Sequence, residues 1–450
     1  MVGHRLQFLR GDNIYEIKNC YDSHTHFLAT GETHLGLSLN FMTSEKSVSE
    51  IKIKSDFLRG DWLIGFGWDQ NLWPGQNLPH IKNLDLYFSD RPVFFSRVDG
   101  HSSWINSKAM TEFEKMGFDF NLDIPGGKIH RDQNRLFTGI LSDQAHIKAL
   151  MMLPPFSDSQ IENFCMTSMK IFNQAGFTHV RDLSMNSQLW KTLCKIQTAG
   201  LQTVCIDSFI TAESFFDLDR AYTDYIICQG LKNPYLRIHG LKIFVDGSLG
   251  SKTAYISEKY LNEEQSGILS WSADDIEKAI QFCWSKKISI AVHVIGDQSV
   301  HIVATAARKV SAAGDEGRIH LEHVQILRPE TLAILKPLHV TIHMQPCHWL
   351  SDHHWLHQVL PKSCIKNLFQ WQRIEKNKIP LFFGSDSPIE KTNLFNTKKA
   401  IELSHKKGIP KLESDWKTHH MHPDSGWTQS NTVINDDRII EVIFDNKKII

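Results

Sequence analysis

Ile290-Ala291-Val292-His293 and Ile319-His320-Leu321-Glu322-His323, with the amphipathic span Ser299 to Ala313 between them, decide the fold. Each flanking run is apolar or β-branched and closes on a histidine, while the span between them repeats its apolar residues at helical spacing. Two parallel strands joined by a helical crossover satisfy that pattern. The same rhythm continues in both directions. Strand ends fall at Asn19-Cys20-Tyr21-Asp22, Thr178-His179-Val180-Arg181-Asp182, Thr203-Val204-Cys205-Ile206-Asp207 and Leu241-Lys242-Ile243-Phe244-Val245-Asp246. Further along, Val340-Thr341-Ile342-His343-Met344-Gln345 and Leu381-Phe382-Phe383-Gly384-Ser385-Asp386 complete a set of eight, and a second helix is predicted from Ala273 to Ser285. Eight β-α units close most economically into an α/β fold of the TIM-like type, a (β/α)8 barrel with its helices outside.

Between the first and second strand ends lie about 160 positions, too many for one loop or one crossover helix. A large insertion after strand 1 is therefore predicted at about 50–150, roofing the active-site end of a barrel that runs over 21–429. Trp62 to Trp73 and Pro92 to Trp104 are rich in Trp, Phe and Gly, and Pro125-Gly126-Gly127 marks a turn. Residues 1–20 and 430–450, the latter containing Asp437 to Phe444, read as short strands of a small β sub-domain built from the termini. No solenoid repeat or low-complexity tract interrupts the chain.

Apolar residues make up 41% and charged residues 22% of the 450 positions, the profile of a folded chain rather than a disordered one. Lys plus Arg (49) balance Asp plus Glu (50), so no net field draws the chain to nucleic acid or to an anionic membrane. Met1 to Glu16 includes His4, Arg5, Arg10 and Asp12 and lacks the continuous apolar stretch of a signal peptide. No window reaches the roughly 18 apolar residues that span a bilayer. A cytoplasmic protein is expected. The 8 cysteines lie singly, with no C-x-x-C pair, as reduced thiols do. The 24 histidines and 12 tryptophans direct the search toward metal ligation and pocket walls.

Side chains at the C-terminal ends of barrel strands meet around one point, whatever their separation in sequence. Asp22-Ser23-His24-Thr25-His26 closes the first strand. The period of two in extended backbone puts His24 and His26 on one side, where both imidazoles can bind one metal. An H-x-H pair alone arises by chance in a chain with many histidines, and a lone His293 or His323 is more often a satisfied core residue. Their joint presence at strand ends of one barrel is harder to explain that way. Lys242 sits between Leu241 and Ile243-Phe244-Val245, where an unpaired ammonium costs several kcal/mol. A salt bridge to Asp246 or Asp182 would neutralise it. A depressed pKa is the alternative, leaving the amine free to take up CO2 as a carbamate that bridges two metal ions. At the eighth strand end, Asp386 either caps the following helix or moves a proton between water and a leaving amine; its company favours the second.

The order D-x-H-x-H at strand one, Lys at strand four, single His at strands five and six and Asp at strand eight resembles the amidohydrolase superfamily. More narrowly, the chain resembles the YtcJ-like branch, which includes N-substituted formamide deformylases. The residues that bear this likeness are Gly67 to Pro74, Arg91-Pro92-Val93, Asp99-Gly100-His101-Ser102, Thr138 to Leu141, Gly176-Phe177-Thr178 and Lys242 to Ser251. They continue through His293 to Asp297, Glu322-His323-Val324-Gln325, Met344-Gln345-Pro346 and Gly384-Ser385-Asp386. The resemblance implies that His24, His26, His293 and His323 are metal ligands, Lys242 a carboxylated bridge or an equivalent ligand, and Asp386 the proton shuttle. It implies zinc, one or two ions, as cofactor and a metal-activated hydroxide as the attacking group. The implied activity is hydrolysis of a C–N bond, in a linear or cyclic amide other than a peptide, of a small-molecule substrate.

Both ends are shorter than the family pattern, and Lys411 to Ser430, with His419-His420-Met421-His422, matches nothing in it; these histidines could coordinate metal, but a solvated loop is the expectation. His101, Trp68 and Gln345 are the candidate substrate-binding residues, with Trp73, His348 and Trp349 as further walls of an aromatic pocket. An apolar or aryl-substituted amide would suit such a pocket. Two other functions compete: ester hydrolysis on the same metal centre, and a catalytically silent binding or regulatory relative, which would be expected to lose part of the ligand set. The oligomeric state is left open, a homodimer included.

Overall fold

The computed structural model describes residues 7–8, 14–98, 100–122, 124, 127–435 and 437–450. Asp99, the Pro125-Gly126 part of the expected turn and most of the segment 1–13 lie outside them. The chain divides into two compact units, one of Met1–Thr30 with Cys165–Ile450, the other Gly31–Phe164.

The first unit is built on eight parallel strands, hydrogen-bonded in chain order: β1 (Tyr21–Thr25), β2 (His179–Met185), β3 (Cys205–Thr211), β4 (Leu236–Phe244), β5 (Ser289–Val294), β6 (Ile319–His323), β7 (Val340–Met344) and β8 (Leu381–Phe383). Beyond β8 the chain returns to β1, where Thr25 bridges Ser387 in parallel and Asp386 N donates to His24 O at 2.8 Å. The apolar runs are explained by coverage on both faces: Ile290, Ala291, Val292 and Val294 of β5 are all fully buried. Helix Ala273–Ser285 has the expected bounds. Its Ser272 side chain accepts from Asp275 N, and Ile276, Ala279, Ile280, Cys283 and Trp284 form its buried stripe. The crossover helix runs Asp297–Ala312, starting slightly before the expected Ser299, with Val300, Val303, Ala304 and Ala307 inward. Register sets Lys242 opposite Ala291, Phe244 opposite His293 and Val294 opposite His323, so the ends of β4, β5 and β6 come level.

The termini pair with each other. Gln7–Phe8, Ile14–Lys18, Asn431–Asn435, Arg438–Phe444 and Lys447–Lys448 make a five-stranded antiparallel sheet. The segment 411–430 is not the expected solvated loop. His419, His420 and His422 are 7%, 1% and 3% exposed, and they meet the barrel near the amino ends of its strands. His419 Nδ1 donates to Leu381 O at 2.9 Å, His420 Nδ1 donates to Tyr21 O at 3.0 Å, and His422 Nε2 bonds Asp207 Oδ2 at 2.8 Å. Buried imidazoles are tolerated because their ring nitrogens find partners, here supplied by residues distant in sequence. No helix among the described residues is long and apolar enough to cross a membrane.

The second unit has its own mixed sheet, ordered Leu37–Ser38, Trp62–Trp68, Val93–Arg97, Ser102–Ile105, Phe137–Asp143 and Gly127–Arg131, with Leu58–Arg59 also pairing Trp62–Trp68. The insertion therefore runs from Gly31 to Phe164 rather than about 50–150. Its first strand is two residues long, too short to read from sequence, yet it pairs with Gly65 and Phe66. Neighbouring Phe94 and Phe95 point to opposite faces, each into a different apolar cluster.

Candidate metal centre

The first and last strands are locked together before any metal is considered. Asp22 Oδ1 accepts from Ser385 N at 2.8 Å, and a Cβ on Gly384 would stand 2.5 Å from His24 N, so only glycine fits there. His323 (φ +73°), Val324 (φ +44°) and Asp386 (φ +60°) all adopt the left-handed region, unfavourable by about 1–3 kcal/mol each, which turns the strand ends sharply. Val324 N, held by Val294 O at 2.9 Å, and Asp386 N, held by His24 O, keep those conformations in place.

Around this junction the ligand atoms of His24, His323 and Asp386 lie within 4.8 Å of one another. His24 Nε2 and His26 Nε2 are each 3.3 Å from Asp386 Oδ1. The His24 and His323 rings stand 4.6 Å apart, and His323 is 4.5 Å from His293. His293 turns its Nε2 toward Gly247 O at 3.1 Å, so that nitrogen is already engaged. The five residues nevertheless form one cluster drawn from β1, β5, β6 and the end of β8.

Hydrogen bonds fix which nitrogens carry lone pairs. His24 Nδ1 donates to Glu322 Oε2 at 2.7 Å, and His323 Nδ1 donates to Gln345 Oε1 at 2.7 Å. In a neutral imidazole the other nitrogen is then an acceptor, so both Nε2 lone pairs face the junction. Asp386 Oδ1, also an acceptor, has no hydrogen-bond partner. Acceptors 3.3 Å apart repel unless a proton or metal lies between them, and two oriented imidazoles with a carboxylate suit a divalent metal ion. A proton can take the same place between His24 and Asp386. Burial pushes the Asp386 carboxyl up, but the charge on His24 and the imidazoles of His24, His26 and His348 outweigh it and hold it well below the usual carboxylate range. Burial pushes His24 down, and Asp386 and Glu322 overcome it to raise the ring above its ordinary value. Burial, with neighbouring cations, takes His323 well below its ordinary value and His293 down to about 3, favouring neutral rings.

Lys242 is completely buried, and its Nζ has no hydrogen-bond partner. Neither carboxylate considered for a salt bridge fills that role. Asp246 is occupied by Ile295 N, Gly296 N, Tyr255 N and Ser299 Oγ, and Asp182 by Phe27 N and Ser184 Oγ. Burial pushes the amine down to about 7. Glu322 is paired instead with Arg181, whose two terminal nitrogens reach its oxygens at 3.0 and 2.9 Å while the guanidinium lies 4.5 Å over Phe209. Arg181 and Glu322 were missed as site residues, although each is a charge inside a buried strand, the signal that singled out Lys242.

Of the candidate substrate residues, Gln345 holds the His323 ring. Trp68 is fully buried in the core of the second unit with Nε1 donating to Phe95 O at 2.8 Å, which leaves no surface for a ligand. Trp73 is likewise packed there, its Nε1 on Met42 O at 2.9 Å. His101 belongs to the second unit, is exposed, and lies 3.6 Å from Asp143 Oδ1. His348 joins the metal cluster, with Nε2 3.3 Å from Asp386 Oδ2, and Trp349 beside it stacks on His353 at 4.5 Å.

Known proteins place this arrangement. The sequence profile of the amidohydrolase family matches residues 21–397. YtcJ of Bacillus subtilis (strain 168) is 29% identical over 378 residues, 82% of this chain and 69% of that protein. The Arabidopsis thaliana protein LONG AFTER FAR-RED 3 is 25% identical over 418 residues, 88% of this chain and 69% of its own length. The crystal structure of an uncharacterized metal-dependent hydrolase from Pyrococcus furiosus superposes with a TM-score of 0.69 at 26% identity, over 86% of this chain and 76% of that one. The barrel, its cluster of strand-end imidazoles around Asp386 and these matches together establish that the chain belongs to the amidohydrolase family, on its YtcJ-like branch, and is a hydrolase.

Proposed function

We propose that the centre binds zinc, one or two ions, and hydrolyses a C–N bond of a small-molecule amide other than a peptide. The observation that carries this reading is the convergence of His24 and His323 lone pairs on an unpartnered oxygen of Asp386. Zinc, when bound, supplies Lewis acidity toward a carbonyl oxygen and an attacking water. His24, His26 and His323 would hold it, together with His293 through Nδ1, the ring nitrogen not engaged by Gly247 O. Glu322 and Gln345 keep the His24 and His323 rings turned to the site, and Arg181 holds Glu322. Lys242 Nζ, buried without a hydrogen-bond partner and 4.3 Å over the Phe244 ring, either joins the ligand set directly or adds to CO2, forming an N–C bond and releasing a proton, so that a carbamate takes the amine's place. Asp386 Oδ1 takes a proton from the attacking water and delivers it to the departing nitrogen, which leaves as a neutral amine.

Metal analysis of protein purified without chelators tests the reading. About one or two zinc ions per chain are expected, with chelation abolishing and zinc restoring hydrolysis of amides in a panel that also contains matched esters. A metal-free protein of unchanged behaviour would remove the hydrolytic proposal, and turnover confined to esters would move it to a different bond.

A further inference from the structure

His348 opens the helix Pro346–Asp352 that follows β7, and it is 8% exposed. Its Nδ1 lies 3.0 Å from Gln325 Nε2. An amide nitrogen has hydrogens to give and no lone pair to offer, so Gln325 donates and Nδ1 accepts. The ring proton then sits on Nε2. That nitrogen is buried, makes no hydrogen bond of good geometry, and lies 3.3 Å from Asp386 Oδ2. His348 is therefore the reverse of His24 and His323: they present lone pairs to the cluster, and His348 presents a hydrogen. Its ring is held nearly parallel to that of His323, with centroids 5.8 Å apart.

The two oxygens of Asp386 consequently meet different surroundings. Oδ1 faces the nitrogens of His24 and His26, and Oδ2 faces the donor of His348. A carboxylate rotates about χ2 between nearly equivalent states unless its oxygens are distinguished. We propose that His348 is a positioning residue for Asp386: its Nε2–H, with its tautomer set by Gln325, holds Oδ2 and so reserves Oδ1 for the metal and the moving proton. This rests on the reading of the centre as a metal-dependent hydrolase.

Three measurements on the 450-residue chain test it. In histidine-15N-labelled metal-free protein, the His348 signal, assigned by its loss in His348→Gln, is expected as the Nε2–H tautomer; an Nδ1–H tautomer overturns the proposal. In the cobalt(II)-loaded protein, His348→Phe should shift the visible d–d bands as Asp386 loses its anchor. His348→Gln, whose amide nitrogen can reach the same place, should restore them. On p-nitroacetanilide or another amide turned over by the unsubstituted protein, His348→Phe should lower kcat about 10- to 100-fold with KM within about threefold, and His348→Gln should recover most of the loss. Unchanged spectra and kcat in His348→Phe, or loss of the metal itself, would overturn the positioning role while leaving the hydrolase reading standing. Failure of the unsubstituted protein to bind any metal would sink the hydrolase reading instead, and the tautomer measurement would still report on Gln325 and His348.

Discussion

Replacing Arg181 by Met isolates the charge that supports the His24 ring. Arg181 is 2% exposed, its guanidinium reaches both oxygens of Glu322, and Nη1 also donates to Ser23 O at 3.2 Å. Methionine fills much of the volume and keeps a contact with Phe209, so the loss is mainly electrostatic. Glu322 would be left as a fully buried carboxylate with only the 2.7 Å bond to His24 Nδ1, and breaking one side of such a pair costs roughly 3–5 kcal/mol. A second change, Glu322→Gln, removes the stranded charge and still offers a carbonyl oxygen to His24. The double variant should therefore recover to within about 1–2 kcal/mol of the original, the residue being the lost bond to Ser23. Urea unfolding followed by tryptophan fluorescence, with midpoints compared through a common slope, measures all four corners of the cycle. A single Arg181→Met change costing under about 1 kcal/mol, or a double variant no more stable than that single one, would refute the account of Glu322 as a paired, buried charge.

Lys242→Met should leave the metal-free chain as stable as before or somewhat more so, because an unpartnered buried amine is exchanged for an apolar side chain of similar length. Zinc content and amide turnover should drop together, and a clear loss of stability would show that the amine is paired. Asp386→Asn should keep zinc bound while turnover falls by roughly 10²–10⁴-fold, read by metal analysis and steady-state kinetics; near-normal turnover removes the proton-moving role. For acid stability, burial pushes Glu375 up, but His419, Ser414 and the Glu413 amide outweigh it and hold the carboxyl down at about 2. A depressed folded-state pKa gives stability that is complete above the ordinary value near 4.5 and is lost as pH falls toward 2. The stability gap between the native chain and Glu375→Gln should accordingly be present near pH 5 and close on acidification toward 2, followed by thermal midpoints across that range. A gap independent of pH would contradict the pairing.

The barrel was legible where the pattern is local. The helix Ala273–Ser285 carries its own cap and stripe, and β6 coincides with the quoted Ile319 to His323 run. The fourth strand was read only from Leu241, whereas it begins at Leu236, because Arg237, His239 and Gly240 interrupt the apolar signal. Gly240 is there for contact: a Cβ would collide with Ser289 O. His24, His26, His293, His323 and Asp386 could be named from their positions at strand ends, since barrel geometry brings those ends together regardless of separation. Partner choice was not legible. Arg181 meets Glu322 from 141 positions away and His420 meets Tyr21 from 399, and nothing local at 419–422 distinguishes a buried imidazole from a solvated one. The aromatic pocket proposed around Trp68 failed for a related reason, because a tryptophan in a glycine-rich strand reads the same whether it faces a ligand or a core.

The histidines at 419–422 also bear on how this polypeptide is made. Tyr21 O leaves the ribosome among the first groups of the barrel, yet its acceptor is satisfied by His420, among the last. Asp207, already bonded by His239, gains its second imidazole from His422 in the same way. During synthesis the floor of the barrel therefore stays unsealed until translation is nearly over, and a nascent chain arrested before residue 419 would carry these polar groups open to water and to chaperones.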